Sequence, residues 1–335
     1  MKDILTETFT VCRNDAVFEG WPDLVRLRSS RMLLVYNECN GHGDRDHSRI
    51  TLRISDDLGG SWSEKKYIGP ETHHGDNWNS IRINQISDGR ILLVCDRVIG
   101  TETSAETELY LWESRDDGET WSDGKRAGIH GYCSDRIREL SDGTLILCIS
   151  VFNENAGKTE VWAYRSADRG TSWLDSVKVA ADPGYTFIEP ALLECRDGTI
   201  AVFLRENSKK GYNGFMSLSF DGGRTFEKEQ EIPLTGMHRP FAGFLSDGRI
   251  LLSYREHLSS SLPYPDLKAA VFPEESLLCG MRDRQVFRIS HDSSEHPDQG
   301  YSAWVQLDDG TVYLVNYIMN RAPKAYIQGC RIRGL

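Results

Sequence analysis

The 335-residue chain has no block of basic residues and no apolar run of about 18 residues or more. Without such a run, a membrane-spanning helix is not expected. The lack of a basic block, together with a net charge of −11, disfavours nucleic acids and anionic membranes, because phosphate binding requires clustered Lys and Arg. We therefore expect neither class of partner.

The sequence also lacks a secretion signal and any CxxC pair. Residues 1–8 have no apolar core of a signal peptide, so we expect a cytoplasmic protein, with secretion after signal removal as the alternative. Eight cysteines are scattered, and Cys95, Cys148 and Cys195 fall in or beside apolar runs, as reduced buried thiols do. Such spacing does not predict a zinc site, and we expect no cofactor.

An eight-residue pattern, Ser-x-Asp-x-Gly-x-(Ser/Thr)-aromatic, occurs four times, at 55–62, 114–121, 166–173 and 219–226. Each copy follows a strand-like run and suits a hairpin turn. The Asp and Ser side chains can bind backbone N–H groups, the Gly permits positive φ, and the aromatic residue anchors the hairpin. Such a repeat predicts a repeat architecture, and we expect its role to be structural.

A second repeat, an Asp-Gly turn followed by an apolar strand, begins at positions 88, 142, 197, 247 and 309. Residues 29–35 form the same unit without the glycine. Asp-Gly between strand-like runs predicts a hairpin, and the spacing of 50 to 62 residues leaves room for four short strands. Six units predict an all-β, six-bladed β-propeller with four-stranded antiparallel blades, a single domain over residues 1–335. Because the last unit is one strand short, we expect residues 8–12 to complete the sixth blade.

Ionisable residues mark the ends of several predicted inner strands, which converge on the axis of a propeller. Charges at such positions are costly unless they are paired or face a wet cavity. The pattern therefore predicts an anion-tolerant pocket of carbohydrate size. The side chains expected to contact the sugar are Trp21, Asp23, Trp78, Arg97, Arg136, Arg205, Arg239 and Arg255. An irregular stretch at 259–265 is expected to form either a substrate-facing loop or a passive insertion.

The eight-residue pattern is the Asp-box, or BNR repeat, and nearly the whole chain resembles the sialidase (neuraminidase) superfamily. In those enzymes, a loop acid before the first Asp-box is the general acid and base. Asp44 stands in a matching place, eleven residues before the first box. Their tyrosine-activating glutamate and their carboxylate-binding arginine are matched by Glu189 and Arg205. Their tyrosine nucleophile, within a Tyr-Ser pair that opens the sixth blade, is matched by Tyr301.

This resemblance implies an exo-glycosidase that retains configuration. A phenol with a pKa near 10 is a poor nucleophile alone, but Glu189 could take its proton as a general base. A neutral nucleophile also avoids repulsion at an anomeric centre that bears a carboxylate. Asp44 would protonate the leaving oxygen and later activate water, and Arg205 would bind the substrate carboxylate.

The chain departs from the family in the first blade. Sialidases begin that blade with Arg-Ile-Pro, the source of the first of three substrate-binding arginines, whereas this chain has Trp-Pro at 21–22. The usual place of the third arginine holds Tyr-Pro at 264–265, so Arg239 and Arg255 are the candidates to replace it. With one matching arginine, the expected sugars extend to other uronic or ulosonic acids, or to a neutral sugar stacked on Trp21 or Trp78.

Two alternatives remain open from the sequence. The same fold could perform a different carbohydrate chemistry, as an inverting glycosidase or a lyase, or it could bind sugar without catalysis. His42, Asp44, Asp46 and His47 share one loop and are plausible ligands for a divalent ion, but their irregular spacing favours a polar loop, so no metal is predicted. A carbohydrate is the expected partner, and the sequence does not determine the oligomeric state.

Overall fold

The computed structural model describes residues 4–73, 75–100, 106–173, 175–208, 210–258 and 263–335. Their strands form six four-stranded antiparallel sheets. The strand β1 is Leu5–Cys12. Blade one contains β2 (Phe18–Arg26), β3 (Met32–Cys39), β4 (Ser48–Ser55) and β5 (Lys66–Thr72). Blade two contains β6 (Asp76–Gln85), β7 (Ile91–Ile99), β8 (Glu106–Ser114) and β9 (Lys125–Arg126). Blade three contains β10 (Arg138–Glu139), β11 (Leu145–Asn153), β12 (Lys158–Ser166) and β13 (Asp175–Ala180).

The second half of the chain repeats this order. Blade four contains β14 (Phe187–Glu194), β15 (Ile200–Glu206), β16 (Asn213–Ser219) and β17 (Gln230–Thr235). Blade five contains β18 (Met237–Phe244), β19 (Ile250–Glu256), β20 (Asp266–Phe272) and β21 (Gln285–His291), with a short 3₁₀ helix at Glu274–Cys279. Blade six contains β22 (Gln299–Gln306), β23 (Val312–Ile318) and β24 (Tyr326–Arg333). The six sheets form a ring, which confirms the predicted six-bladed β-propeller.

The N-terminal strand closes this ring. In the sixth sheet, β1 lies outside β24, and the antiparallel register runs from Leu5 opposite Arg333 to Cys12 opposite Ile327. On the other side of the closure, β2 of blade one contacts β22 and β23 of blade six. The predicted completion of the last blade by the N-terminus is confirmed.

The Asp-boxes are the turns between the third and fourth strands of the first four blades. In the first box, Asp57 accepts hydrogen bonds from the backbone N–H of Ser61 at 2.8 Å and from its hydroxyl at 2.7 Å. The Ser55 hydroxyl accepts the N–H of Gly59 at 2.8 Å. Trp62 packs against the hydrophobic core. These contacts hold the turn together locally, as the pattern predicts.

The Asp-Gly turns join the first and second strands of blades two to six. Gly89 adopts φ 92° in the first of them, and Ser30 adopts φ 73° in the turn of blade one that has no glycine. The predicted hairpins are therefore all present, including the one without its usual residue.

The hydrophobic core consists of clusters that lie between neighbouring blades. All eight cysteines are free thiols, and seven of them are buried. Among the described residues, no helix has the length and apolar character needed to cross a membrane. Residues 259–262 of the irregular stretch in blade five lie outside the described residues.

Candidate active site

The site is built on irregularities in the innermost strands. The first strand of five blades has a break in register with the second strand, which is the mark of a β-bulge. Four of these bulges contain a non-glycine residue with positive φ, and in blade three Cys133 has the same conformation. The residues and angles are Trp21 (53°), Cys133 (53°), Glu189 (53°), Arg239 (47°) and Tyr301 (51°). Strained backbone of this kind concentrates at functional sites.

Glu189 and Tyr301 are hydrogen-bonded to each other across 112 residues of sequence. The phenol of Tyr301 in blade six donates to one carboxylate oxygen of Glu189 in blade four. Arg205 donates to the other oxygen at 2.8 Å, and a guanidinium nitrogen of Arg255 lies 3.7 Å from the first oxygen. The structure thus brings together four residues that were singled out from the sequence, Glu189, Arg205, Arg255 and Tyr301.

The charges of this pair follow from its surroundings. Burial raises the pKa of the Glu189 carboxyl, but the charges of Arg205 and Arg255 lower it more, so the net pKa lies below its ordinary value. Burial and the nearby carboxylate raise the pKa of Tyr301 well above its usual value. At neutral pH, the site therefore holds an ionised carboxylate that accepts a hydrogen bond from a neutral phenol.

Two arginines at this site have buried donors that no described residue accepts. These donors are the Nε atoms of Arg205 and Arg255. Tyr264 covers both, because its hydroxyl lies 3.5 Å from Arg205 and the Arg255 guanidinium stacks 3.8 Å from its ring centroid. Unsatisfied buried donors are rare in proteins, and a pair of them suits an anionic group on a ligand.

Arg239 also lies against Tyr301, with its guanidinium 4.8 Å from the ring centroid. It is tied to blades two and three, since it donates to the Ser80 hydroxyl at 2.9 Å and to the Ser134 carbonyl at 3.0 Å. Arg239 is almost fully buried. Its contacts make it a link between blades that also borders the phenol.

Trp21 lies in the first-blade segment from which the expected arginine is missing, and it is 1% exposed. The guanidinium of Arg45 lies 4.3 Å from its ring centroid. The Tyr301 ring lies 6.5 Å away, in an edge-to-face arrangement. Arg45, on the loop between β3 and β4, therefore places a positive charge against this segment of β2.

Asp44 is on the same loop as Arg45, but its contacts are with other residues of that loop. Its side chain is exposed and accepts hydrogen bonds from the Asn40 amide and the Asp46 backbone N–H, both at 3.2 Å. No recorded contact among the described residues connects it to Glu189 or Tyr301. Its role as general acid stays a prediction.

Asp23 and Arg136 are each other's partners. The Arg136 Nε donates to Asp23 at 2.9 Å, and both side chains are buried. Asp23 also accepts the backbone N–H of Ile83 at 2.8 Å, and Arg136 stacks over Phe241 at 4.5 Å. These contacts join blades one, two, three and five, so the placement of the pair is structural and gives no support to the predicted contact with sugar.

Trp78 and Arg97 also lie among packing contacts. Trp78 is 1% exposed, belongs to the core between blades one and two, and donates to the Pro70 carbonyl at 2.9 Å. Arg97 donates to Asp76 at 2.7 Å and to the Tyr110 hydroxyl at 3.3 Å. A fully buried indole offers no face to a sugar, so the predicted stacking is supported neither on Trp78 nor on Trp21, which is also 1% exposed.

Comparison with known proteins identifies the family. Residues 43–314 match the family described as BNR repeat-like domain. The chain belongs to this family. No curated protein matches the sequence.

Solved structures share the fold of this BNR repeat-like chain. A protein of unknown function from Dyadobacter fermentans is 20% identical, with a TM-score of 0.85 and 98% of each chain covered. The NanB sialidase of Streptococcus pneumoniae is 14% identical, with a TM-score of 0.71, 97% of this chain and 70% of the sialidase covered. An α-L-arabinanase of Penicillium chrysogenum is 16% identical, with a TM-score of 0.68 and 99% and 98% covered. At these identities the likeness shows the fold.

Several residues around the site of this BNR repeat-like chain were not singled out from the sequence. Asp96 is fully buried and accepts the Asn79 amide at 2.7 Å and the backbone N–H groups of Ser80 and Cys133 at 3.2 Å. Burial raises its pKa to about 6. Asp298 is the other missed carboxylate, and it binds His42 at 2.7 Å.

One group of side chains beside the site could hold a metal ion. Donor atoms of Asp46, His47 and His73 lie within 4.8 Å of one another, and His47 is also 3.0 Å from Glu71. Imidazole and carboxylate ligands suit divalent transition metals. This group differs from the set weighed in the sequence, since His42 is engaged with Asp298.

Proposed function

We propose that this protein is a retaining exo-glycosidase that removes a terminal acidic sugar, with Tyr301 as nucleophile and Glu189 as its general base. The observation that carries the proposal is the hydrogen bond from the Tyr301 phenol to a Glu189 carboxylate that two arginines keep ionised. The resemblance to sialidases in fold and in residue pattern supports it.

The reaction begins with the neutral phenol. As the Tyr301 oxygen attacks the anomeric carbon, its proton passes to Glu189, and the bond to the leaving oxygen breaks while that oxygen takes a proton from a general acid. Water then attacks the same carbon and gives a proton to the conjugate base of that acid, the bond to Tyr301 breaks, and the proton on Glu189 returns to the phenol, so that two inversions give retention. A carboxylate nucleophile would be repelled by an anionic substrate, whereas a phenol is not.

The acidic substrate follows from the arginines. The buried Nε atoms of Arg205 and Arg255 have no acceptor among the described residues, and Arg239 adds a third positive charge against the Tyr301 ring. A carboxylate on the sugar could accept the free donors of Arg205 and Arg255.

The first experiment is an assay of aryl glycosides of N-acetylneuraminic acid, ketodeoxyoctonate, glucuronic acid and neutral sugars. We expect hydrolysis of an acidic glycoside, with the Tyr301→Phe variant slower by at least about 10³-fold while sugar binding survives in calorimetry. Tyr254→Phe is the matched control, because this buried tyrosine of blade five packs in a core cluster away from Glu189.

Three other results would contradict the proposal. Full activity of Tyr301→Phe would remove the nucleophile. Sugar binding without any product from the wild type would identify a binding propeller. An unsaturated product that absorbs in the ultraviolet would identify a lyase.

A further inference from the structure

The proposed reaction needs a general acid, and the contacts of Asp44 do not place it near Glu189 or Tyr301. The loop that carries Asp44 also carries His42, two residues earlier. The His42 Nδ1 lies 2.7 Å from a carboxylate oxygen of Asp298, which comes from the connection before β22 of blade six. A carboxylate bound to one ring nitrogen of a histidine fixes the tautomer and leaves the other nitrogen to exchange protons.

Asp298 is itself held in place. Its second carboxylate oxygen accepts the Tyr317 hydroxyl at 2.7 Å, and Tyr317 in turn accepts a hydrogen bond from Arg255 at 3.1 Å. Burial raises the pKa of Asp298, but His42, Arg255 and Tyr317 lower it more, so the net pKa is below its ordinary value. Asp298 is therefore an ionised acceptor for the Nδ1–H of His42.

The second nitrogen of His42 is available. Among the described parts of the chain, no hydrogen bond engages its Nε2, and the side chain is 39% exposed. Asp44, in contrast, has its oxygens bound to the amide of Asn40 and the backbone of Asp46 within the loop.

His42 and Tyr301 border the same pair of aromatic rings. His42 lies 5.4 Å from the ring centroid of Trp21 and 6.3 Å from that of Tyr317. Tyr301 lies 6.5 Å and 6.1 Å from the same two rings. A proton donor and a nucleophile that flank one patch can act on the two sides of one glycosidic bond.

We propose that His42, oriented by Asp298, donates the proton to the leaving oxygen, an assignment that rests on the glycosidase activity proposed above. The protonated ring gives its Nε2 proton to the glycosidic oxygen as the carbon–oxygen bond breaks, and the alcohol leaves. Neutral His42 then takes a proton from the attacking water. The charged and titratable groups around the ring are Asp298, Tyr317 and Arg45, whose Nε lies 3.5 Å from the His42 carbonyl oxygen.

The experiment uses the acidic sugar that turns over fastest in the panel, as its 2,4-dinitrophenyl and phenyl glycosides. The dinitrophenolate leaves without protonation, whereas phenolate needs an acid. We expect His42→Gln to lower turnover of the phenyl glycoside by about 10² to 10⁴-fold and to leave formation of the glycosyl enzyme from the dinitrophenyl glycoside nearly unchanged. That retained step also shows that the variant is folded.

His291→Gln is the matched control, because His291 also binds a carboxylate, that of Asp266 at 2.7 Å, but lies on the outer strand of blade five, and it should treat both glycosides like the wild type. Asp298→Asn should show a weaker form of the His42 effect, with the alkaline limb of the pH profile for the phenyl glycoside moved to lower pH, because the protonated ring loses its carboxylate partner. If Asp44→Asn shows the leaving-group-dependent loss and His42→Gln does not, the assignment is overturned and the glycosidase stands. A wild type that hydrolyses neither glycoside overturns the proposed function and His42 with it.

Discussion

At the scale of single residues, the surroundings decide what a buried carboxyl can do. Glu19 and Glu189 are both 1% exposed and both belong to first strands of blades. Burial and the neighbouring Glu38 raise the pKa of Glu19 to about 7, whereas two arginines bring that of Glu189 below its usual value. A general base must be ionised at the working pH, so only the second environment suits the proposed role.

The buried pair Asp23–Arg136 gives the first prediction. Asp23→Asn keeps the shape of the side chain but leaves the Arg136 charge buried without its partner, which costs about 3–5 kcal/mol in unfolding free energy. Asp308→Asn is the control: Asp308 binds Arg26 between blades six and one, but its side chain is 81% exposed, so its loss should change the unfolding free energy little. Urea titration measures both, and equal losses would contradict the structural role of the buried pair.

Much of the site could be predicted at this scale, and the failures have a common cause. Glu189, Arg205 and Tyr301 could be identified because each lies in a short segment that resembles a sialidase segment. The structure brings all three together. His42 and Asp298 were not paired, because a contact between residues 256 apart depends on how two loops meet, which no local pattern encodes.

At the scale of elements, β-bulges place the site. A regular strand would continue its hydrogen-bonded ladder past Glu189 and Tyr301. The bulge instead leaves these two residues without an opposite residue on the second strand, and with positive φ. Proline follows Trp21, Glu189 and Arg239, and a residue without an N–H suits a position where the ladder is interrupted. Each strained residue costs about 1–3 kcal/mol, and the packing of the blades must offset this cost.

The Asp-Gly turns also mark which residue of each second strand lies at the site. The residue eight positions after the Asp of each Asp-Gly turn lies at the site in all five blades that have the turn. These residues are Asp96, Ser150, Arg205, Arg255 and Tyr317. The hairpin fixes this distance, so counting from the turn would have found Asp96 and Tyr317.

The Asp-boxes give a prediction about pH. Hydrogen bonds from the backbone and hydroxyl of Ser61 and from the Ser55 hydroxyl lower the pKa of Asp57 to about 2. Because the folded pKa lies below the ordinary value of 3.8, the stabilisation is complete above about pH 4 and is lost as the pH falls through about 2. The difference in unfolding free energy between wild type and Asp57→Asn should therefore shrink from pH 4 to pH 2. A difference that stays constant in urea titrations over this range would contradict it.

At the scale of the whole molecule, closure of the ring makes the site possible. The sixth blade is completed by β1, where Phe9 packs 5.6 Å from the ring centroid of Tyr313, and that blade supplies Tyr301, Asp298 and Tyr317. Glu189 comes from blade four and His42 from blade one. The period of the Asp-boxes and Asp-Gly turns was enough to predict this architecture, since each is a local structure that repeats.

The central claim is that blades four and six bring a carboxylate base to a phenolic nucleophile. It is tested most directly by mass spectrometry of the protein denatured during turnover of the dinitrophenyl glycoside, when fast departure lets a glycosyl enzyme accumulate. The account predicts one sugar attached through the side-chain oxygen of Tyr301. A sugar attached to Glu189 or to another carboxylate, or no attached sugar during active turnover, would contradict it.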